Sequence, residues 1–307
     1  MPEGDTIYRS ARAMQKALAG KVCTRFETGL ALLARVDDEA PIAGRVIERV
    51  EARGKWLLVH FSGDLILLTH MLMSGSWHLY RTGEKWWMGH DRMRVALFTD
   101  DWQAIAFNVP VAEFHTARSL ERHSQIPKLG VDVLGEGYTV QQGIAALKRY
   151  AAENPQAEIA VALLNQRVLA GLGNVYKSEV AFAAGVNPFR AMSTITDREY
   201  EVMAERAERW MQANVIDGAG DGIVTYSGSR RTTNNADRAE RLWVYGRQGL
   251  ECRRCGATVM MRKQGEQARS TYWCPGCQPW VAAAGQTSDA PVGRAIKLAG
   301  PRRKVGC

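Results

Sequence analysis

The sequence predicts an α+β chain of several domains: a β-rich domain behind one N-terminal helix, then a helical domain, then a small metal-braced hairpin. Three observations carry this. Apolar residues recur at helical spacing near the N-terminus and again after residue 140, with alternating runs between. Turn residues break those runs at short intervals. Four cysteines form two Cys-x-x-Cys pairs between Cys252 and Cys277.

The N-terminal helix is read from Ile7, Ala11, Met14 and Leu18, which share one face. Asp5 or Thr6 is placed to cap its start and Gly20 to end it. Val46–Val50, Trp56–Phe61, Leu65–Thr69, Ser76–Tyr80, Met93–Thr99 and Ala104–Asn108 read as strands, with Ser62-Gly63-Asp64 a hairpin loop. Many short strands with regular turns suit a sandwich or a barrel. Residues 130–139 (GVDVLGEGYT) read as a linker, after which Ile144, Leu147, Ile159, Leu163 and Leu164 sit at helical spacings.

Gly171-Leu172-Gly173-Asn174 follows. Two glycines bracketing a turn leave backbone amides bare, and Asn174 is read as the N-cap of a helix running to Ala183. Bare amides at a helix start suit a phosphate. A tightly packed helix corner explains the same glycines. Residues 218–237, rich in Gly, Ser and Asn and containing Arg230-Arg231, read as a long loop, either a lid or a plain connector.

Cys252-x-x-Cys255 and Cys274-x-x-Cys277 stand 18 residues apart, the spacing of a four-cysteine zinc site. Four thiolates leave no open coordination position, so the one expected Zn2+ is structural. Between the pairs, Thr258–Met261 and Ser270–Trp273 can form a hairpin that presents Arg269.

The 307 residues, 46% hydrophobic and 23% charged, suit a globular protein of more than one domain. A net charge of +8 favours a polyanionic partner. No apolar run is long enough to span a bilayer and no signal-peptide pattern opens the chain, so a cytoplasmic protein without a membrane partner is expected. Beyond Gln278 the composition shifts to Ala, Gly, Pro and Ser and ends in Arg302-Arg303-Lys304, read as a disordered basic tail.

The most reactive feature is the start. Pro2 follows Met1 directly, and removal of Met1 leaves a secondary amine. An α-amino group titrates near roughly 8, so a neutral fraction exists at physiological pH. Such an amine can attack a sugar aldehyde carbon and form an iminium. Glu3 stands beside it as a proton donor or acceptor. The positive end of the helix disfavours the ammonium form of Pro2. A frayed terminus explains the same residues.

With Pro2-Glu3-Gly4, the Gly171–Asn174 turn and the four-cysteine finger in this order, residues 2 to 278 resemble the bacterial formamidopyrimidine-DNA glycosylase/endonuclease VIII (Fpg/Nei) family. The resemblance implies a two-layered β-sandwich carrying the N-terminal helix, then a helical domain with a helix–two-turn–helix element and a zinc-finger hairpin. It sets boundaries at 1–132, 133–242 and 243–278, with 279–307 as tail. It implies a bifunctional glycosylase/AP lyase, a monomer acting on damaged double-stranded DNA held in the cleft between its domains. Pro2 then matches the Schiff-base nucleophile and Glu3 the acid/base. Lys55 matches a lysine of phosphate contact and β-elimination, and Asn174 a phosphate ligand. Arg269 matches the finger arginine, to which phosphate binding and δ-elimination are assigned; its high pKa suits the phosphate role better.

Extruding a base leaves a gap in the stack, which a side chain must fill. His70–Gly75 resembles the hairpin that supplies this wedge, and Met73 is the matching position. Departures from the family pattern help choose a branch. Oxidised-purine enzymes carry an Arg-Phe pair after a Pro in a second loop, whereas Pro110 here is followed by Val111-Ala112-Glu113-Phe114. That favours the endonuclease VIII branch and oxidised pyrimidines. Leu72 and Ser74 replace polar and aromatic neighbours common in that branch. Lys128 stands where the branch often has a phosphate-contacting arginine, keeping the charge without the fork. Oxidised-purine excision, or a zinc-containing DNA-binding protein without catalysis, remain the competing readings.

Overall fold

The computed structural model of the chain describes residues 2–216, 230–233, 235, 237 and 239–282. Most of the 218–237 loop and nearly all of the 279–307 tail therefore lie outside the described residues. The chain divides into two compact units. Among the described residues, one gathers 2–139, 166–172 and 208–216; the other gathers 140–165, 173–207 and 230–282.

The first unit opens with α1 (Gly4–Leu18), whose expected face of Ile7, Ala11, Met14 and Leu18 is buried. The helix starts earlier than Asp5 or Thr6 would allow as caps. Glu3 is the N-cap, and Asp5 turns inward, its Oδ1 accepting from the Thr6 amide at 2.8 Å. Gly20, at φ +80°, ends the helix as expected.

Eight strands follow: β1 (Arg25–Thr28), β2 (Ile47–Arg53), β3 (Trp56–Phe61), β4 (Leu65–His70), β5 (Ser76–Arg81), β6 (Met93–Phe98), β7 (Trp102–Phe107) and β8 (Val111–His115). They form two antiparallel four-stranded sheets, ordered β1-β6-β7-β5 and β2-β3-β4-β8. Leu57, Val59 and Leu67 of one sheet meet Trp77, Val95, Leu97 and Ala106 of the other, with Ile7 and Met14 from α1, in one apolar core. This is the two-layered sandwich.

The outer faces are also covered, which is why Trp56–Val59 of β3 read as an unbroken apolar run. Leu58, Ile66 and Leu68 lie with Leu120 and Ile126. Ala96, Phe98, Ile105 and Phe107 lie with Trp86 and Met88. Strands β1 and β8 were not among those read from the sequence, nor was α2 (Ala31–Glu39). The residues after Pro110, read as a loop by analogy, form β8 and pair with β4, Val111 opposite His70.

The 130–139 segment is not a plain linker. Val131–Asp132 (β9) pairs in parallel with Leu169–Ala170 (β10). A strand of two residues is too short to show a period, so the sequence could not reveal it.

The second unit holds α4 (Val140–Glu153), α5 (Ile159–Leu164), α6 (Asn174–Ala183) and the start of α7 (Asp197–Ile216). Preceding these in the chain is the short α3 (Ala117–Leu120) of the first unit. The finger hairpin is β11 (Met260–Gln264) with β12 (Arg269–Trp273); its first strand begins two residues later and ends three later than the sequence suggested, and its second begins one residue earlier. No described helix is long and apolar enough to cross a membrane.

Candidate active site and metal centre

Pro2 is half-buried and Glu3 completely buried. Glu3 caps α1 through its backbone, its carbonyl accepting from Thr6 and Ile7 at 2.9 and 3.1 Å. The next amide, that of Gly4, donates to the carbonyl of Gly171 at 2.8 Å. A Cβ on Gly4 would lie 2.8 Å from Gly171 Cα, closer than any real Cβ contact. Glycine is required here for close approach.

Lys55 occupies the two-residue turn Gly54–Lys55 between β2 and β3, where Arg53 pairs with Trp56. Gly54 has φ +59°, the left-handed value that the first position of a tight type II′ hairpin turn demands. A Cβ on Gly54 would sit 3.2 Å from Ala170 Cβ and 3.5 Å from Gly171 N. The Pro2–Gly4 strip and the Gly54–Lys55 turn, distant in sequence, thus converge on Gly171.

Asp132 ties the same parts together. Its Oδ2 accepts from Gly54 N at 2.6 Å and from Tyr8 Oη at 2.7 Å, and its Oδ1 accepts from Leu134 N at 3.2 Å. Burial raises the carboxyl pKa of Asp132 despite these donors, and burial first, then Asp132, raises that of the Tyr8 hydroxyl. Neither residue was singled out from sequence; a lone Tyr on a helix and an Asp in an apparent linker carry no pattern.

In the β4–β5 loop, Met71 is buried and Met73 is 64% exposed. The loop closes on a Gly75 N to Met71 O bond of 2.8 Å, with Leu72 held at φ +46°. The Leu72 amide donates to His70 Nδ1 at 3.0 Å. Burial first, and the Lys55 charge second, hold the His70 imidazole down to about 4. Lys128 is exposed at the end of a 3₁₀ turn. It precedes Leu129, whose Cδ1 would be 3.8 Å from a Gly54 Cβ.

The turn before α6 differs from expectation in two respects. Gly171 N is not bare, since it donates to Gln166 Oε1 at 3.1 Å while Gln166 Nε2 donates to Leu172 O at 2.9 Å. Gly171 needs its glycine for φ +97°. Asn174 is not the N-cap; Gly173 is, in extended conformation, and Asn174 is the first helical residue. The Asn174 side chain is buried, and its Oδ1 has no hydrogen-bond partner among the described residues. A buried side-chain oxygen left without a partner is uncommon.

Three residues later Lys177, also buried, donates to Thr271 Oγ1 at 2.8 Å and Ser270 O at 3.3 Å, joining α6 to β12. Arg269 begins β12, and Gln267 Oε1 accepts from its Nε and Nη2 at 3.0 and 2.8 Å. In α6, Glu179 accepts from the amides of Trp243, Val244 and Tyr245 at 2.8, 2.9 and 2.8 Å and from Thr232 Oγ1. Charged residues inside an otherwise apolar helix were the available signal for Lys177 and Glu179.

The sulfur atoms of Cys252, Cys255, Cys274 and Cys277 lie within 4.8 Å of one another. Cys252 and Cys277 are 3.8 Å apart and Cys255 and Cys274 3.4 Å. Tetrahedral thiolates at about 2.3 Å from one ion stand roughly 3.8 Å apart, so the cluster fits a bound metal. A Cβ on Gly276 would come to 3.0 Å from Cys255 Sγ, a tight contact that would push on the sulfur cluster.

Glu113, His115 and His123 form a second cluster. However, His123 Nδ1 accepts from Gln125 N and Ile126 N at 3.2 and 3.1 Å. That leaves the hydrogen on Nε2, the nitrogen facing Glu113, and removes the lone pair a metal would need.

Comparison with known proteins agrees with this architecture. Residues 1–110 match the formamidopyrimidine-DNA glycosylase N-terminal domain, and residues 129–226 match the formamidopyrimidine-DNA glycosylase H2TH domain. A probable endonuclease 8 2 of Streptomyces coelicolor is 37% identical over 298 residues, covering 95% of this chain and 99% of its own. The DNA-(apurinic or apyrimidinic site) lyase Nei2 of Mycolicibacterium smegmatis is 34% identical, covering 91% and 99%. A Lactococcus lactis Fpg in complex with abasic-site DNA superposes with a TM-score of 0.72 at 21% identity, over 91% of this chain and all of that one.

A β-sandwich with a buried N-terminal acid, followed by a helical domain and a four-cysteine hairpin, defines a class of base-excision glycosylases. The chain belongs to the formamidopyrimidine-DNA glycosylase/endonuclease VIII family.

Proposed function

We propose that the chain is a bifunctional DNA glycosylase/AP lyase of base excision repair that acts on oxidised bases in duplex DNA, pyrimidines before purines. The observation that carries this is the convergence of Pro2-Glu3-Gly4 and the Lys55 turn on Gly171. A secondary amine, a buried carboxylate and a lysine on one frame suit covalent attack on a sugar carbon.

The Pro2 nitrogen bonds to C1′ as the C1′–N bond to the base breaks, the departing base keeping that electron pair and gaining a proton. Once the nitrogen has lost its proton, its lone pair closes an iminium with C1′ as the C1′–O4′ bond breaks, O4′ keeping that electron pair and taking up a proton. Loss of a C2′ proton expels the 3′ phosphate, and a second elimination expels the 5′ phosphate. Glu3 serves the proton transfers at the sugar, and Lys55 serves phosphate contact and β-elimination. Asn174, Lys128 and Arg269 grip the backbone and Met73, already exposed, fills the gap left by the base. The four cysteines hold one structural Zn2+, which braces the hairpin presenting Arg269. The protein acts as a monomer. The missing arginine after Pro110, where β8 runs instead, supports the pyrimidine preference.

Borohydride reduction during reaction with a thymine-glycol duplex tests the chemistry. A covalent protein–DNA adduct is expected. It disappears when a residue is retained ahead of Pro2, because the amine has become an amide. No adduct from the free-amine protein overturns the proposal. Faster excision of 8-oxoguanine than of thymine glycol overturns the pyrimidine preference.

A further inference from the structure

Covalent attack by Pro2 requires that α1, which carries it, be placed to within a fraction of an ångström of the lysine turn. The Gly4–Gly171 hydrogen bond secures only the first residue of the helix. The buried face of Ile7, Ala11, Met14 and Leu18 sets the helix direction, and a second polar tie near its start fixes its slide and rotation against the Lys55 turn.

Tyr8 supplies it. One turn beyond Gly4, its hydroxyl donates to the Asp132 oxygen that also takes the Gly54 amide. One carboxylate oxygen is therefore shared between the helix of the nucleophile and the turn of Lys55. Asp132 is itself set by the β9–β10 pair, opposite Ala170 and one residue from the Gly171 that receives Gly4. The result is a closed frame. Gly4 meets Gly171, Ala170 faces Asp132, and Asp132 returns to Tyr8 on the same helix. Both bonds to Oδ2 are short, as bonds to a carboxylate are. Tyr8 and Asp132 are both half-buried, so water replaces a lost partner only in part.

We propose that Tyr8, acting through Asp132, is a positioning residue for the Schiff-base step, holding Pro2 and Lys55 in register. It touches neither the sugar nor the base. This rests on the glycosylase/AP lyase reading above.

The test is single-turnover borohydride trapping on an abasic duplex by Tyr8→Phe, Asp132→Asn and the double variant, beside binding of a tetrahydrofuran duplex that cannot react. Tyr8→Phe removes one oxygen and leaves the ring packing in place. Misplacement by about an ångström can cost on the order of a hundredfold, so a ten- to hundredfold slower trapping rate is expected. Affinity for the tetrahydrofuran duplex changes less than about threefold, a split that general loss of folded protein would not give. The double variant is no slower than Asp132→Asn alone, because the two residues act on one line. Wild-type trapping by Tyr8→Phe overturns the proposal, as do equal losses in rate and affinity or multiplicative losses in the double variant. Absence of trapping by the unaltered protein is a different failure, that of the underlying enzymatic reading.

Discussion

The Gly4 amide and the Gly171 carbonyl lie 2.8 Å apart, and the two α-carbons are close enough that no side chain fits on Gly4. The residue next to the proposed acid is thus held by backbone alone. Gly4→Ala would drive a methyl to 2.8 Å from Gly171 Cα, contact with backbone that cannot swing aside. The first residues must retreat, and Pro2 with them. Borohydride trapping should fall by at least about tenfold while binding of an unreactive abasic duplex is retained. Gly83→Ala, where a Cβ meets nothing within 4 Å despite φ +88°, is the control for backbone strain. Equal trapping by wild type and Gly4→Ala would show that the approach does not matter.

Much of this frame was legible in the sequence, for reasons that differ by residue. Ile7, Ala11, Met14 and Leu18 revealed α1 because a helix burying one face writes its period into the chain. The cysteines revealed the four-sulfur cluster because metal-binding thiolates must converge from tight turns. Asp132 and Tyr8 stayed hidden because their partnership joins residues 124 positions apart. Asn174 was misplaced by one position because Gly173, without a side chain, can also start a helix. The Glu113–His115–His123 cluster shows the converse limit. Metal-type residues come together there, yet two backbone amides on His123 Nδ1 settle the tautomer against coordination.

Removing the proposed zinc should undo the finger without dismantling the sandwich. The hairpin packs on α6 through Phe182, Val244, Val259 and the cysteines themselves, a small core that thiolate repulsion would open. Elemental analysis should find one zinc per chain. Chelation or Cys274→Ser should sharply weaken duplex binding and expose Trp243 and Trp273 fluorescence to quencher. Near-UV circular dichroism from the sandwich, including the buried Trp77, should persist. Full DNA affinity after verified metal loss would contradict a bracing role.

Arg269 is held ready by Gln267, whose single oxygen takes two guanidinium hydrogens. Gln267→Ala frees the arginine to sample other rotamers and should weaken duplex binding by a fewfold, leaving its salt dependence unchanged. Arg269→Ala should lower affinity further and reduce the slope of log affinity against log salt by about 1, the signature of one lost phosphate contact. An unchanged slope would remove Arg269 from the phosphate-binding set.

His70 makes the stability of the β4–β5 loop depend on pH. Its Nδ1 accepts the Leu72 amide, so the ring must be neutral in the folded protein, and Lys55 adds to the burial that disfavours charge. Its pKa is depressed from 6.5 to about 4. As pH falls below 6.5 the unfolded chain takes up the proton first, so folding stability declines until the folded ring also titrates near 4, and then levels off. One such proton gives a slope of at most about 1.4 kcal/mol per pH unit. His78, held near 4 by burial, contributes its own decline over the same window. His70→Gln should therefore reduce the slope without abolishing it. Urea midpoints measured across this window would show the difference, and identical slopes in wild type and His70→Gln would mean that the ring titrates as it does in the unfolded chain. Protonation also withdraws the acceptor from Leu72, which sits at φ +46° beside the exposed Met73. The loop should then loosen before the sandwich melts, seen as faster hydrogen exchange at the Leu72 amide as the pH approaches 4, after correction for the intrinsic rate.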